Sequence, residues 1–291
     1  MDSPHTSKRR NRKPAWLIFR NLSTYLLLSV GVLVAIFPFY WMLSTSLMSL
    51  GEAQGTRLIP SEIHPENYVD AWEEADFSRY MWNSTRITLM TLVGELTFST
   101  LAAYAFARIK FPGRDIIFTL LLTTMMIPAM VTIIPNFLTV TWLGRIGPIK
   151  WINNWPALTI PFMGSVFSIF LLRQFFAQVP DELFDAAQMD GAGHLRFLWN
   201  IVLPLSKAPM MVIIVLSFIG TWNALAWPML VTNSPDWRPI AVGLYSFIGE
   251  AGQMINLMMA GAFIAVIPIL ILYFFTQKQF TESIARSGLK G

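Results

Sequence analysis

The chain alternates between long apolar windows and shorter polar connections. Crossing the hydrocarbon core of a bilayer takes about 20 apolar residues in a helix. Windows of about that length, with charged residues absent or nearly absent, cover residues 21–51, 87–107, 116–144, 151–172, 208–235 and 251–277. Prolines inside these windows are tolerated in a membrane bundle, because neighbouring groups satisfy the freed carbonyls. The pattern predicts an all-α, polytopic membrane protein with about six transmembrane helices.

Composition agrees with a chain that mostly contacts lipid. Of its 291 residues, 54% are hydrophobic and 13% are charged, whereas soluble domains carry roughly 25% charged residues. The absence of cysteine excludes disulfides, thiolate metal sites and cysteine nucleophiles. The 3 histidines, His5, His64 and His194, are scattered between tail and loops. We therefore predict neither a metal site nor an enzyme.

The basic residues concentrate on one predicted side of the membrane. Residues 1–20 form a basic leader without a signal-peptide cleavage site. Fifteen of the 21 Lys and Arg residues fall on the side of the two termini, and the opposite side carries one sizeable, acidic loop, 52–82. Because cytoplasmic loops are enriched in Lys and Arg, we predict an inner-membrane, multi-pass protein. Both termini, 1–20 and 278–291, would be cytoplasmic and 21–277 would form the transmembrane domain.

One polar segment, residues 178–209, stands out between the fourth and fifth windows. Pro180 suits a first helical position, and acids in the following turn complement the helix dipole. Gly191 and its neighbours break this short helix, and a second amphipathic helix follows. Two such helices at a membrane surface could dock into a cytoplasmic partner or form an interfacial loop without one. The residues alone leave both possibilities open.

The 178–209 segment resembles the EAA loop of permeases from binding-protein-dependent ABC importers. That pattern is Glu-Ala-Ala, three residues, Gly, nine residues, Ile, any residue, Leu and Pro. The matching positions here are Asp185, Ala186, Ala187, Gly191, Ile201, Leu203 and Pro204, with Asp190 beside the glycine. The single departure is Asp185, where the family has Glu. The fixed gaps make the resemblance specific.

Other stretches resemble the carbohydrate branch of this family, the maltose-permease type. They are Tyr104 to Arg108 with Phe111-Pro112-Gly113, then Thr221-Trp222-Asn223 with Trp227-Pro228, and the ending Gly288-Leu289-Lys290-Gly291. Ala224 stands where the family has Asp, so no role is carried over to that position. The similarity covers nearly the whole chain from the first window onward.

The resemblance implies a type I ABC importer permease fold and a definite set of partners. These are a second, homologous permease, two ATP-binding subunits, an extracytoplasmic sugar-binding protein and membrane lipid, without nucleic acid. The chain has no phosphate-binding Gly-x-x-x-x-Gly-Lys-Ser/Thr motif, so we expect ATP hydrolysis in another subunit and no cofactor. The implied cargo is a sugar or oligosaccharide. An ABC permease for another solute, a secondary transporter and a membrane-embedded enzyme are the alternatives.

Three groups of residues are candidates for function beyond the 178–209 segment. Glu95 is the only ionisable residue well inside a window, and Ser99 follows on the same helix face. These two, with Trp222 and Asn223, are candidates for the translocation path, although Glu95 could instead form a structural hydrogen bond. Family resemblance suggests that the outer loop with Gly249, Glu250 and Gly252 enters the binding protein, and that the tail Gly288, Leu289, Lys290 and Gly291 reaches the ATPase interface.

Overall fold

The computed structural model describes residues 15–74, 76–249 and 252–288. Three long helices organise them: α1 (Ala15–Ser46), α4 (Phe77–Arg108) and α15 (Ile255–Gly288). Helix α1 packs on α15 but leaves its long apolar surface exposed. Helix α4 is the centre of the bundle, because it packs against both α8 (Val166–Phe176) and α12 (Lys207–Trp222).

Two predicted spans are broken rather than continuous. The third window forms α5 (Arg114–Thr124) and α6 (Ala129–Ile146), with the break ending at Pro128. Proline lacks the N–H that would continue the ladder and clashes with the preceding turn. The fifth window likewise forms α12 and then α13 (Ala226–Val231), with Pro228 inside the second helix.

The number of spans agrees with the prediction of about six. Within the described residues, five segments are long and apolar enough to cross a membrane. They are Arg20–Ser46, Phe77–Arg108, Ala129–Ile146, Trp155–Phe176 and Ile255–Gln277. The fourth of these joins α7 (Trp155–Thr159), a 3₁₀ turn (Ile160–Phe162) and α8. A sixth follows if His194–Leu205 and Lys207–Trp222, which meet at 81°, are taken as one span.

The 178–209 segment forms short helices at the end of the bundle where α4 finishes. They are α9 (Asp181–Met189), α10 (His194–Phe197), a π-helical turn (Leu198–Val202) and α11 (Leu203–Leu205). The predicted pair of helices around a glycine break is thus confirmed. Their inner faces join a buried cluster with α4 and α8 that includes Ala187, Phe197, Tyr104 and Phe176.

The opposite end of the bundle is held by asparagines. The elements there are α2 (Leu50–Ala53), α3 (Glu66–Glu74), a 3₁₀ turn (Pro235–Trp237), α14 (Ile240–Tyr245) and a short antiparallel pair, β1 (Ile248–Gly249) and β2 (Gly252–Gln253). The side-chain amide of Asn83 donates to the carbonyls of Pro235 and Arg238, at 3.0 and 2.9 Å. The amide of Asn67 donates to the carbonyls of Ser46 and Met48, at 2.9 and 2.8 Å. The Asn83 bonds fix the 235–238 connection against the second turn of α4, and the Asn67 bonds join α3 to the end of α1.

Candidate functional site

Glu95 lies near the middle of α4 and joins three helices. Its side chain is buried, and each carboxylate oxygen accepts a hydrogen bond from a serine hydroxyl. Ser168 of α8 donates to Oε1 at 2.6 Å, and Ser217 of α12 donates to Oε2 at 2.5 Å. Two satisfied acceptor oxygens are what a buried carboxylate requires to avoid a large desolvation penalty.

The residue before Glu95 allows the loop before α8 to approach α4. Gly94 faces the side chain of Met163, and a Cβ on this glycine would lie only 2.3 Å from Met163 Cγ. A larger residue at position 94 would therefore push the 160–165 segment away from the helix. This close contact places the 160–165 segment beside Glu95, and residues of both line the same cavity.

That space, which we call the Glu95 cavity, has a volume of about 360 Å³. Residues of α4, the 3₁₀ turn before α8, α12 and α13 line it. Polar groups on its wall are Thr91, Glu95, Ser165, Ser217 and Thr221. The cavity therefore combines hydroxyl groups and one carboxylate with an otherwise apolar lining.

Two aromatic rings form part of the apolar wall. Phe162 and Trp227 meet edge to face, with ring centroids 5.9 Å apart. Trp227 Nε1 donates to the carbonyl of Ala157 at 2.8 Å, which fixes the orientation of the indole. Thr91 also lines the wall, and its buried hydroxyl has no hydrogen-bond partner among the described residues. Because its oxygen has almost no accessible surface, this hydroxyl is enclosed within the wall.

The helix face that carries Glu95 and Ser99 lies against the bundle interior, because both residues are buried, as are Thr88 and Thr91. The structure nevertheless does not bring the four path candidates together. Ser99 is buried away from the cavity lining. The indole of Trp222 donates to the carbonyl of Ala265 on α15 at 3.0 Å, so it faces a different neighbour.

Asn223, the fourth path candidate, caps the C-terminus of α12 and is exposed. Its neighbours Thr221 and Ala224 line the Glu95 cavity, while Asn223 itself does not. The sequence could not separate these positions, because the helix ends between them and the usual periodicity stops there.

The 178–209 segment presents its acids outward. Asp185, Ala186 and Asp190 are exposed, whereas Ala187 is buried against the bundle. Gly191 ends α9 with φ of +76°, and the amide of Ala192 donates to the carbonyl of Ala187 at 2.8 Å. This is the backbone pattern of a Schellman cap, for which glycine is the preferred residue.

Further along the segment, Ile201, Leu203 and Pro204 match the end of the EAA-loop pattern. Two of them pack against the bundle, and the third lies beside a bend. Ile201 and Leu203 are partly buried and pack on the cluster that attaches the segment to α4 and α8. Pro204 is exposed and lies in α11, just before the 81° bend into α12. The π-helical turn at Leu198–Val202 lies directly before α11, so the backbone departs from regular α-helix on both sides of α11.

An aromatic contact ties the segment to α4. The hydroxyl of Tyr104 lies 2.9 Å from Nδ1 of His194. The imidazole of His194 stacks on Phe184 of α9, with centroids 4.8 Å apart. Phe184 in turn meets Phe197 edge to face at 5.0 Å. Tyr104 of α4 therefore contacts His194 of α10, and the imidazole of His194 in turn contacts α9.

Arg108, at the end of α4, makes the second attachment. Its guanidinium donates to the carbonyls of Phe176, at 3.0 Å, and Val179, and to the carboxylate of Asp181 in the first turn of α9. The Arg108 side chain is largely buried while that of Asp181 is exposed. Tyr104 and Arg108 were singled out in the sequence only as parts of a stretch that resembles the maltose-permease type, and their contacts were not predicted. The available signal was a basic residue ending one helix and an acid beginning a later one.

The two remaining candidate regions are described only in part. Gly249 and Gly252 pair in the β1–β2 ladder, while Glu250 lies outside the described residues. Gly288 is the last residue of α15, and Leu289, Lys290 and Gly291 lie outside the described residues. Helix α15 thus continues eleven residues beyond position 277, where the predicted transmembrane domain ends. Within the described ranges, no group of three or more His, Asp or Glu side chains could hold a metal ion.

Comparisons with known proteins agree on one family. The profile of the family described as binding-protein-dependent transport system inner membrane component matches residues 95–283. The sn-glycerol-3-phosphate transport system permease protein UgpE of Yersinia enterocolitica is 33% identical over 275 residues, which cover 90% of this chain and 95% of that protein. The protein of the same name from Brucella abortus is 31% identical over 278 residues, covering 92% and 96%.

Solved structures give the same architecture. A chain from the crystal structure of a bacterial ABC transporter involved in the import of the acidic polysaccharide alginate matches with a TM-score of 0.79 and 26% identity, covering 95% of this chain and 99% of that one. A chain from the alginate transporter bound to its pentasaccharide-loaded periplasmic protein matches at 0.63 and 15% identity, covering 90% and 92%. The second likeness concerns the fold alone.

Proposed function

Because the chain belongs to the family of binding-protein-dependent transport system inner membrane components, we propose that its Glu95 cavity is part of the route by which a sugar or related hydroxylated solute crosses the membrane. The chain is a multi-pass inner-membrane protein and the permease subunit of an ATP-driven ABC importer. It is a transport subunit rather than an enzyme. A second permease, two ATPases and a solute-binding protein complete the importer.

The observation that supports this route is the placement of polar groups around the cavity. A carboxylate accepts hydrogen bonds from solute hydroxyls, and the hydroxyls of Ser165 and Thr221 on the same wall can both donate and accept. Phe162 and Trp227 add aromatic surface on the same wall. Aromatic rings beside a few well-placed polar groups are the usual composition of a small-molecule site.

The coupling surface would be the outer face of the 178–209 segment. Asp185 and Ala186 are exposed there beside Met189, whose side chain is 85% exposed. A large apolar side chain next to an acid suits a groove on a protein partner. Docking of an ATPase subunit at this surface would move the segment, and Tyr104 and Arg108 would transmit that motion to α4.

This assignment fixes the orientation that we propose. The ATPase side is the cytoplasm, so the 178–209 segment and both chain termini would be cytoplasmic. The excess of Lys and Arg on that side supports the same orientation. The tail 288–291 would then lie near the ATPases, and the β1–β2 hairpin would face the binding protein.

The deciding experiment is purification of the chain from cells that also produce its neighbouring transport subunits. We expect an ATPase subunit to co-purify, and the reconstituted complex to hydrolyse ATP and take up solute only with the loaded binding protein. Uptake driven by an ion gradient, without an ATPase, would instead indicate a secondary transporter. ATP-dependent uptake of amino acids or peptides but of no hydroxylated solute would contradict the proposed cargo alone.

A further inference from the structure

We infer that the Glu95 cavity selects against anions, so that the solute carried through this subunit is uncharged and rich in hydroxyl groups. This inference rests on the proposed function, because it concerns the cargo of the same cavity. It goes further by excluding phosphorylated and carboxylated solutes, and it is argued from the charges and hydrogen bonds of the lining residues.

Among the described residues, the lining of the cavity carries one ionisable side chain, and that side chain is acidic. Among the described residues that form the wall, none is Lys, Arg or His. An anion in the cavity would therefore meet a carboxylate and no compensating cation from this chain. In a medium of intermediate dielectric, two like charges about 6 Å apart are disfavoured by roughly a hundredfold.

The hydrogen bonds around Glu95 engage both of its side-chain oxygens. Ser168 donates to one oxygen and Ser217 donates to the other. The same bonds consume the two serine protons that could otherwise have bound a phosphate or a carboxylate. The hydroxyl oxygen of Ser165 accepts from the amide of Ser168 at 3.2 Å, so its own proton is still free to donate to a solute.

An uncharged polyol fits what remains. Its hydroxyl groups can donate to the free lone pairs of the Glu95 carboxylate and exchange hydrogen bonds with the hydroxyls of Ser165 and Thr221. Its C–H faces can pack on Phe162 and Trp227. The carboxylate, the hydroxyls and the aromatic rings on the wall thus suit a neutral sugar, whereas an anionic solute would leave the Glu95 charge uncompensated.

This charge preference separates the chain from the relatives that it resembles. The names of those relatives refer to sn-glycerol-3-phosphate and to the acidic polysaccharide alginate, both of which are anionic. Identity of 33% or less leaves ample room for a change of lining residues. We therefore expect the importer of this chain to differ from those systems in the charge of its cargo.

The electrostatic part can be tested without knowing the cargo. The chain contains no cysteine, so Ala224→Cys places the chain's sole thiol on the cavity wall. Thr221→Cys is a second position. The assembled importer would be treated with a cationic reagent, trimethylammonioethyl methanethiosulfonate, and an anionic one, sulfonatoethyl methanethiosulfonate. The labelling rate of each reagent is divided by its rate with a small free thiol in solution, which corrects for intrinsic reactivity. A complex that carries the cysteine-free parent chain corrects for labelling of the other subunits.

We expect the cationic reagent to react at least about tenfold faster than the anionic one at either position. The matched Glu95→Gln background, which removes the charge and keeps the shape, should abolish the preference. Equal rates for the two reagents, or an unchanged ratio with Glu95→Gln, would overturn the inference. Absence of any reaction at both positions, with and without ATP, would also overturn it, because the cavity would not be open to solutes.

A transport experiment then distinguishes failure of this inference from failure of the proposed function. The reconstituted complex and its binding protein are supplied with maltose, trehalose, sn-glycerol-3-phosphate or an oligouronate. ATP-dependent uptake of an anionic probe at a rate equal to or above that of the neutral ones contradicts the charge preference and leaves the ABC permease assignment intact. A chain that does not assemble with an ATPase contradicts both.

Discussion

The hydroxyl of Tyr104 lies 2.9 Å from Nδ1 of His194, so a residue near the end of α4 is hydrogen-bonded to the segment proposed to dock an ATPase. Helix α4 also carries Glu95, about two and a half turns away along the same helix. A rigid helix therefore connects the coupling surface to the cavity. Movement of the 178–209 segment can reach the cavity wall without passing through a flexible connection.

The first prediction concerns that hydrogen bond. Tyr104→Phe removes the hydroxyl and keeps the ring in its buried cluster. One net hydrogen bond contributes about 1 kcal/mol, so we expect solute uptake per ATP hydrolysed to fall about two- to tenfold with unchanged protein level. The measurement is uptake and ATPase rate in the same proteoliposomes.

A matched control is Tyr25→Phe on the exposed surface of α1, where the hydroxyl is expected to matter little. If Tyr104→Phe couples ATP hydrolysis to uptake as well as the parent chain does, the hydrogen bond is not part of the transmission.

The second prediction separates two kinds of contact made by Arg108. The carbonyls of Phe176 and Val179 accept from its largely buried guanidinium, whereas its ionic partner Asp181 is exposed. Exposed ion pairs contribute at most about 1 kcal/mol, so Asp181→Asn should be nearly neutral. Arg108→Lys loses the planar guanidinium that reaches both carbonyls. We therefore expect this variant to lower the free energy of unfolding by about 1–3 kcal/mol.

Thermal unfolding of the purified complex and protease cleavage within the 178–209 segment would measure the difference. Lys110→Ala, at an exposed neighbouring position, serves as the control. Equal effects of Asp181→Asn and Arg108→Lys would mean that the ion pair, rather than the carbonyl contacts, holds the segment.

The third prediction uses two nearby glycines with opposite backbone conformations. Gly191 has φ of +76°, and Gly193 has φ of −82°. Both have open space where a Cβ would stand, so neither substitution by Ala would cause a steric clash. The cost of Gly191→Ala is backbone strain of about 1–2 kcal/mol.

Gly193→Ala should change stability by less than about 0.5 kcal/mol, and Gly191→Asn should cost less than Gly191→Ala because Asn tolerates positive φ. Differential scanning calorimetry of the three variants tests this order. A Gly193→Ala variant as unstable as Gly191→Ala would show that residue size, and not backbone conformation, decides.

The architecture was predictable because its signal is local. Apolar windows mark spans, and the motif around Gly191 marks a helix end. Span boundaries were less accurate, since α4 begins at Phe77, ten residues before the predicted start. Asn83, Ser84 and Arg86 lie outside the predicted window, yet each makes a hydrogen bond with residues 235–240, and the helix runs through them.

The partners of Glu95 could not be predicted at all. Ser168 and Ser217 are 73 and 122 residues away in the sequence, and nothing local distinguishes them from other serines in apolar windows. The indole of Trp222 likewise turns to Ala265 because of how α12 packs on α15. Contacts between helices depend on packing that a single sequence does not specify.

The fourth prediction compares two exposed acids on α9. Asp185 occupies the position matched to the family's Glu, and Glu182 lies one turn earlier on the same short helix. If Asp185 pairs with an arginine of the ATPase, Asp185→Ala should lower uptake several-fold and weaken co-purification of the ATPase. Glu182→Ala should leave both within about twofold, because an isolated surface acid contributes little.

The salt dependence of ATPase binding adds a second measurement, since an interfacial ion pair weakens as ionic strength rises. That dependence should decrease in Asp185→Ala and stay unchanged in Glu182→Ala. Full uptake by Asp185→Ala would remove Asp185 from the coupling surface.

The last prediction decides whether Glu95 touches the solute or only holds three helices together. Glu95→Leu strands the hydroxyls of Ser168 and Ser217, at a cost of about 1–3 kcal/mol for each unpaired group. Glu95→Gln keeps a hydrogen-bonding group of the same shape, so we expect a folded protein with altered solute affinity. Ser99→Ala, which removes a buried hydroxyl with no partner among the described residues, should be neutral or slightly stabilising.

A triple variant separates the two roles. Removing both serine hydroxyls together with the carboxylate, as Glu95→Leu with Ser168→Ala and Ser217→Ala, leaves no stranded polar group, and such paired replacement is close to neutral for stability. We expect the triple variant to regain the unfolding temperature that Glu95→Leu loses, but not solute uptake, because the cavity would still lack its carboxylate. Recovery of both uptake and apparent affinity in the triple variant would mean that Glu95 has a structural role only and that the solute passes without contacting it.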